Sequence, residues 1–286
     1  MGKETEHNAK IISLYFQKGG IGKTSLAINL AAFFSTMNNE KKQKNRVLLI
    51  DFDSQAASSK YFDVFDKDSD SIFDVLKGTC DIKEIIKRKK YDYGSLGECT
   101  LDIVPSTEYM HEIEMAYFDF DYNDAQLAFC IQSIIHDYDF IFIDCPSQMD
   151  VIFRNAFNIT DYFILGTDAE EVSADRIEHS LSMINELTTL NNPGKILGAV
   201  ITKYNPNRVI SIEDNIYSKD IVKIYEEYVD VFENKIPETR LVSNSYHCKM
   251  PIPFYYRKYK QYKEGYYAYR KLALEIMDKI DKDYSN

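Results

Sequence analysis

The run IISLYF at residues 11–16 passes directly into QKGGIGKTS at residues 17–25, and then into a stretch of helical spacing, TSLAINLAAFFST, at 24–36. No other feature constrains the chain so tightly. A short, mostly apolar run reads as a strand buried on both faces. A glycine-dense turn leading straight from it into a helix N-terminus aims backbone N–H groups and the positive end of the helix at an anion. Gly19, Gly20 and Gly22 let the backbone turn, Lys23 is spaced to reach terminal phosphates, and Thr24 is placed to give its hydroxyl to Mg²⁺. A phosphate loop at a strand–helix junction belongs to a parallel α/β architecture.

The rest of the chain fits that architecture. Apolar runs recur at 47–51 (VLLID), 101–105 (LDIVP), 140–144 (FIFID), 162–167 (YFILGT) and 197–202 (LGAVIT), while 125–138 and 173–190 carry helical period with polar opposite faces. Six strands with interleaved helices predict an α/β fold with one doubly wound, mostly parallel sheet and helices on both faces. There is no internal repeat and no Pro- or Gly-rich linker, so residues 1–286 are expected to form one phosphate-loop domain. The polar stretches at 38–45 (NNEKKQKN) and 87–90 (KRKK) read as a charged loop and a basic helix end, both solvated.

Two of the strands end in carboxylates. In VLLIDFDSQA, alternation along the strand points Asp51 and Asp53 to one side, where both can face a bound phosphate. FIFID ends in Asp144, a weak signal alone and a strong one beside a phosphate loop. The plain alternative for all three is helix capping or solvation of a strand end.

Composition narrows the class. A net charge of −11 excludes a protein that coats nucleic acid with its whole surface, so any such contact needs a local patch. Cys80, Cys99, Cys130, Cys145 and Cys248 are odd in number, widely separated and without zinc spacing; reduced thiols are the simplest reading. The five histidines form no cluster or triad. The polar start and the lack of a long apolar run predict a soluble, cytoplasmic chain without a membrane span.

The strict pattern GxxxxGK[ST] fails because its first glycine would fall at Gln17. Lys18 followed by GGIGKT instead resembles the deviant Walker A box, KGGxGKT[ST], of the ParA/MinD family. Asp51, Asp53 and Gln55 match its DxDxQ box, and Asp144 with Pro146 matches DxPP except that Ser147 replaces the second proline. SIFDVLKGTCDIKEII at 71–86 and the segments at 197–206 and 231–252 are also similar to the ParA pattern, so the likeness covers almost the whole chain. It implies ATP and Mg²⁺ as cofactors, with residues 18–25 (Lys18, Gly19, Gly20, Ile21, Gly22, Lys23, Thr24, Ser25) around the phosphates. It further implies Thr24, Asp51 and Asp144 at the metal, Asp53 orienting the attacking water, and Pro237 near the adenine. In this family the early lysine crosses to the γ-phosphate of the partner subunit, so Lys18 implies an ATP-dependent homodimer.

Between residues 240 and 271 the chain has eight basic residues against the single acid Glu264, a local +7 that leaves −18 for the remainder. ParA-type proteins bind DNA nonspecifically through basic residues in this region, which nominates Arg240, Lys249, Arg257, Lys258, Lys260 and Lys263 together with Arg270 and Lys271. The resemblance therefore implies a nucleoid-associated partition ATPase for a plasmid or chromosome, reset by a ParB-like centromere-binding partner. The chain end, KLALEIMDKIDKDYSN, lacks the basic amphipathic membrane helix of the MinD branch. Two other readings stay open: a relative that positions a protein assembly, and a bacterial tyrosine kinase, since eight tyrosines lie between Tyr246 and Tyr269. Those kinases lack the lysine before the glycines.

Overall fold

The computed structural model describes residues 8–16, 20, 22–116, 124–148, 150–168, 182, 194–211 and 216–284. Gln17, Lys18, Gly19 and Ile21 fall outside them, as does the expected helix at 173–190 apart from Ser182.

Seven strands form one sheet: β1 (Lys10–Tyr15), β2 (Val47–Asp51), β3 (Lys87–Asp92), β4 (Glu98–Val104), β5 (Phe140–Asp144), β6 (Tyr162–Asp168) and β7 (Lys195–Thr202). Their order is β3-β4-β2-β5-β1-β6-β7, every neighbouring pair parallel except β3 with β4. A separate two-stranded ribbon joins β8 (Val209–Ser211) to β9 (Ile216–Tyr217). The helices are α1 (Lys23–Thr36), α2 (Ala57–Tyr61), α3 (Ile72–Leu76), α4 (Ile82–Ile85), α5 (Met110–Ala116), α6 (Gln126–Ile131) and α7 (Val151–Ile159), followed by α8 (Ser218–Glu226), α9 (Arg240–His247), α10 (Ile252–Tyr259) and α11 (Lys263–Tyr284).

Strand alternation divides the core in two. Ile12, Leu14, Leu49, Leu101, Ile103 and Phe142 pack against α1 and the C-terminal helices α9, α10 and α11. Ile11, Leu48, Ile50, Ile141 and Ile143 face α3, α4, α5, α6 and α7. Helix α1 lies between the sheet and the C-terminal helices, which is why Leu26 to Ser35 are all buried instead of forming a single apolar stripe.

Three expectations need correction. The basic run at 87–90 is no helix end: it belongs to β3, an antiparallel strand at the sheet edge beyond the six expected. Arg88 donates twice to Asp102 of β4, both at 2.8 Å, and Tyr91 stacks on Phe254 at 4.1 Å, so long-range partners hold a run with no apolar alternation. Its charges suit an exposed edge, where lysines discourage further strand pairing. Next, the helix expected over 125–138 is α-helical only from Gln126 to Ile131 and continues as turns closed three or four residues back; Ile131, Ile134 and Tyr138 still reach the core. Finally, β2 ends at Asp51, so strand alternation does not place Asp53, which lies in the bend that follows.

Candidate functional site

Parallel register brings the carboxyl ends of β1, β5 and β2 level. Leu14 pairs with Asp144, and Asp144 pairs with Asp51. Strand β5 inserts between β1 and β2 although it comes much later in the chain, and ligands of open α/β sheets bind at the carboxyl ends beside such a break in strand order. The phosphate loop leaves β1 at this point.

The loop's described part has the backbone an anion cradle needs. Gly20 and Gly22 have φ of +78° and +99°, in the left-handed region where a Cβ is strained, and a Cβ added to either would meet only open space. Gly22 is the N-cap of α1 and has no side chain to cap that end, and no acid stands in the first turn. The N-cap residue therefore offers the first-turn N–H groups no side-chain acceptor at the positive end of a 14-residue helix.

Lys23 begins that helix and is 7% exposed. Its Nζ donates to Asp144 Oδ1 at 2.9 Å and to Asp53 Oδ2 at 3.2 Å, and also to the carbonyl oxygen of Cys145. Burial alone would lower the lysine pKa; Asp144 and then Asp53 reverse that, and the group is held well above its ordinary value. Asp144 is fully buried and takes a second hydrogen bond on Oδ2 from Ser58 Oγ at 2.9 Å. Asp51, also fully buried, accepts on Oδ2 from both the N–H and the Oγ of Ser59, each at 2.7 Å. It thereby caps α2, whose N-cap residue Ala56 has no side-chain oxygen. Burial, and then the nearby Asp144, push the Asp51 carboxyl up to about 7. Asp53 accepts the Gln55 N–H on Oδ1 at 2.9 Å and remains partly exposed.

Sequence reasoning overlooked Ser58, Ser59 and Ser106. Ser106 N–H donates to Ser59 Oγ at 2.8 Å, and Ser106 Oγ donates to the Asp53 carbonyl at 2.9 Å, which ties the end of β4 to both carboxylate-bearing segments. The available signal was the placement of small hydroxyl residues after DxDxQ and after LDIVP.

Among the described residues no group of three or more His, Cys, Asp or Glu could hold a metal alone. The oxygen donors present, the Asp51 and Asp144 carboxylates and the Thr24 hydroxyl, suit Mg²⁺, which keeps waters and shares phosphate oxygens in place of an all-protein cage. Thr24, half-buried on the first turn of α1, and the Asp51/Asp144 pair are the residues available to it. Ser25 shares side-chain hydrogen bonds with Asn29 and with the buried Tyr269 of α11. Pro237 bridges to Tyr204 just past β7, at the same carboxyl edge and two strands from β1.

The basic region lies on α9, α10, α11 and their connections. Lys258, Lys260 and Lys263 sit over the rings of Tyr259, Tyr256 and Tyr267 at 5.2, 5.4 and 5.8 Å. Arg257 lies over Tyr93 at 5.0 Å, in the space a Cβ at Gly94 would need, and Lys249 is paired with Asp63. Arg240 is exposed at the start of α9. Tyr255, Tyr266 and Tyr269 are buried, whereas Tyr246, Tyr259, Tyr262 and Tyr267 are exposed. Among the described residues no helix is long and apolar enough to cross a membrane.

Known proteins match this arrangement. A family model described as an AAA domain matches residues 9–195. The sporulation initiation inhibitor protein Soj of Bacillus subtilis is 24% identical over 82% of this chain and 85% of its own length. The chromosome partitioning protein ParA of Myxococcus xanthus is 25% identical over 94% and 88%. A plasmid partition protein of Borrelia burgdorferi, solved bound to AMPPNP, superposes with a TM-score of 0.71 at 25% identity, covering 96% of this chain and 99% of that one. McdA of Cyanothece in an ATP complex shares the fold, with a TM-score of 0.73 at 15% identity over 94% and 96%. With its deviant phosphate loop, its strand-end aspartates and its seven-stranded sheet, the chain belongs to the family of ParA-type partition ATPases.

Proposed function

We propose that this protein is an ATP- and Mg²⁺-dependent switch that dimerises on ATP, binds DNA without sequence preference and partitions a plasmid or chromosome. A partner protein of the ParB-like, centromere-binding kind resets it by stimulating hydrolysis. The observation that carries the reading is the convergence of Lys23, Asp53, Asp144 and Asp51 at the carboxyl ends of three adjacent strands, beside a helix N-terminus whose N-cap is a glycine.

Mg²⁺, when bound, neutralises charge on the terminal phosphates. Residues 18–25 would hold those phosphates, with Lys23 exchanging its carboxylate partners for phosphate oxygens and Thr24 available to the metal. Asp144 and Asp51 would hold the hydrated metal through their carboxylates, and Asp53, the most exposed of the three, would orient the attacking water. Lys18 is assigned to the γ-phosphate of the partner subunit, and Pro237 to the adenine. Catalysis of this kind works by positioning and charge stabilisation, so unstimulated turnover is slow, as a switch requires.

Arg240, Lys249, Arg257, Lys258, Lys260 and Lys263 form the proposed DNA surface, through phosphate contacts that weaken steeply with salt. Burial of Tyr255, Tyr266 and Tyr269 in ordered helices supports packing as the role of this tyrosine-rich segment and disfavours the kinase reading. Co-sedimentation with DNA in ATP, in ADP and without nucleotide tests the proposal. Retention in ATP alone is the expected result; equal retention in all three, or none, overturns it.

A further inference from the structure

Two consecutive serines at the start of α2 hold the two buried carboxylates of the site. Ser58 Oγ donates to Asp144 Oδ2 while Lys23 occupies Oδ1, so both oxygens of Asp144 are directed by this chain's own groups. Ser59 donates to a single oxygen of Asp51, once from its N–H and once from its Oγ, and leaves Oδ1 aimed toward the N–H of Asp53 at 3.4 Å. All four residues are fully buried. Ser59 Oγ is itself fixed by the Ser106 N–H, so its proton can point only away from that donor, toward the carboxylate.

Capping alone does not require this. The Ser59 N–H already satisfies Asp51 as the cap of α2, and an alanine at 59 would keep that bond. The hydroxyl adds a second bond to the same oxygen, which fixes the rotation of the carboxyl group and presents Oδ1. Oriented outer partners of this type set the affinity of a metal site, because a carboxylate free to rotate spends part of its time misdirected.

We propose that Ser59 is a positioning residue for Asp51, and Ser58 for Asp144, in binding of the Mg²⁺–nucleotide complex. The inference rests on the phosphate-site reading given above. Isothermal titration of the purified full chain with AMPPNP across a Mg²⁺ series measures it directly, without turnover. Ser59→Ala should raise the Mg²⁺ concentration for half-maximal coupling to nucleotide by about tenfold or more, the usual size of such an effect. In an Asp51→Asn background the same substitution should add nothing, because the group through which Ser59 acts is gone. Thermal unfolding of each variant keeps loss of fold apart from loss of metal coupling.

A wild-type Mg²⁺ dependence in a folded Ser59→Ala protein overturns the assignment. So do additive effects in the double variant, which would make the hydroxyl a support of the fold acting independently of Asp51. A wild-type chain that binds no AMPPNP at any Mg²⁺ concentration fails differently, removing the phosphate site and the serine roles with it.

Discussion

Lys23→Met removes one buried ammonium and keeps most of the stem volume. At an effective dielectric constant of about 20, charges near 3 Å apart interact by about 5 kcal/mol, so Lys23 has two such attractions, to Asp144 and Asp53. Desolvation of the three groups offsets much of this; removing one partner of a buried pair costs about 3–5 kcal/mol net. The methionine variant should therefore lose nucleotide binding and also become less stable by that amount in urea unfolding at pH 8. The deficit should depend on pH. Asp51, raised to about 7 by burial and by Asp144, holds a proton in the folded chain that the unfolded carboxyl, near ~3.9, has lost. Stability from this group accordingly falls as pH rises between those values and levels off above about 7. Without the Lys23 charge the folded pKa moves higher, so the variant should keep losing stability above pH 7, by up to about 1.4 kcal/mol per unit, where wild type is level for this group. A variant as stable as wild type at pH 8, or a deficit constant from pH 6 to 8.5, refutes the reasoning.

Asp53→Ala should bind ATP and stall in hydrolysis, trapping the dimer; a phosphate-release assay giving the wild-type rate would remove Asp53 from the water's path. Replacing Arg257, Lys258 and Lys260 together by alanine should weaken DNA binding and flatten its salt dependence while sparing ATP hydrolysis, as filter binding across a salt series would show. Gly166→Ala should destabilise by about 1–3 kcal/mol in denaturant unfolding, because a Cβ there would stand 1.8 Å from the ring of fully buried Phe16. Maleimide should label exposed Cys248 first and leave Cys145 unmodified until the chain unfolds, since burial pushes the Cys145 thiol up to about 12; equal labelling of the two under native conditions would contradict the packing.

Much of this protein is legible in the order of its residues, for a local reason. The glycines and Lys23 act within a few residues of one another, and the aspartates are found because buried strands have an unmistakable apolar run with a polar residue at the exit. Runs of that kind predicted β1, β2, β4, β5, β6 and β7 and the carboxyl edge on which the site lies. Where interactions span long separations, the residue order was silent or misleading. The basic run of β3 shows no strand alternation and is a strand only because β4 pairs with it, Asp102 binds Arg88 and Phe254 covers Tyr91. Asp51 and Asp144, 93 positions apart, become neighbours through the register of β2 with β5, and a bend, in place of strand alternation, carries Asp53 to Lys23. The serines at 58, 59 and 106 look like ordinary loop residues in the chain; only packing turns the hydroxyls of Ser58 and Ser59 onto buried carboxylates and that of Ser106 onto the Asp53 carbonyl. The sequence by itself determined which groups could meet a phosphate, because short-range geometry sets a glycine loop. Tertiary structure decided which groups hold one another in place there, because orientation of a buried charge depends on donors supplied by distant strands.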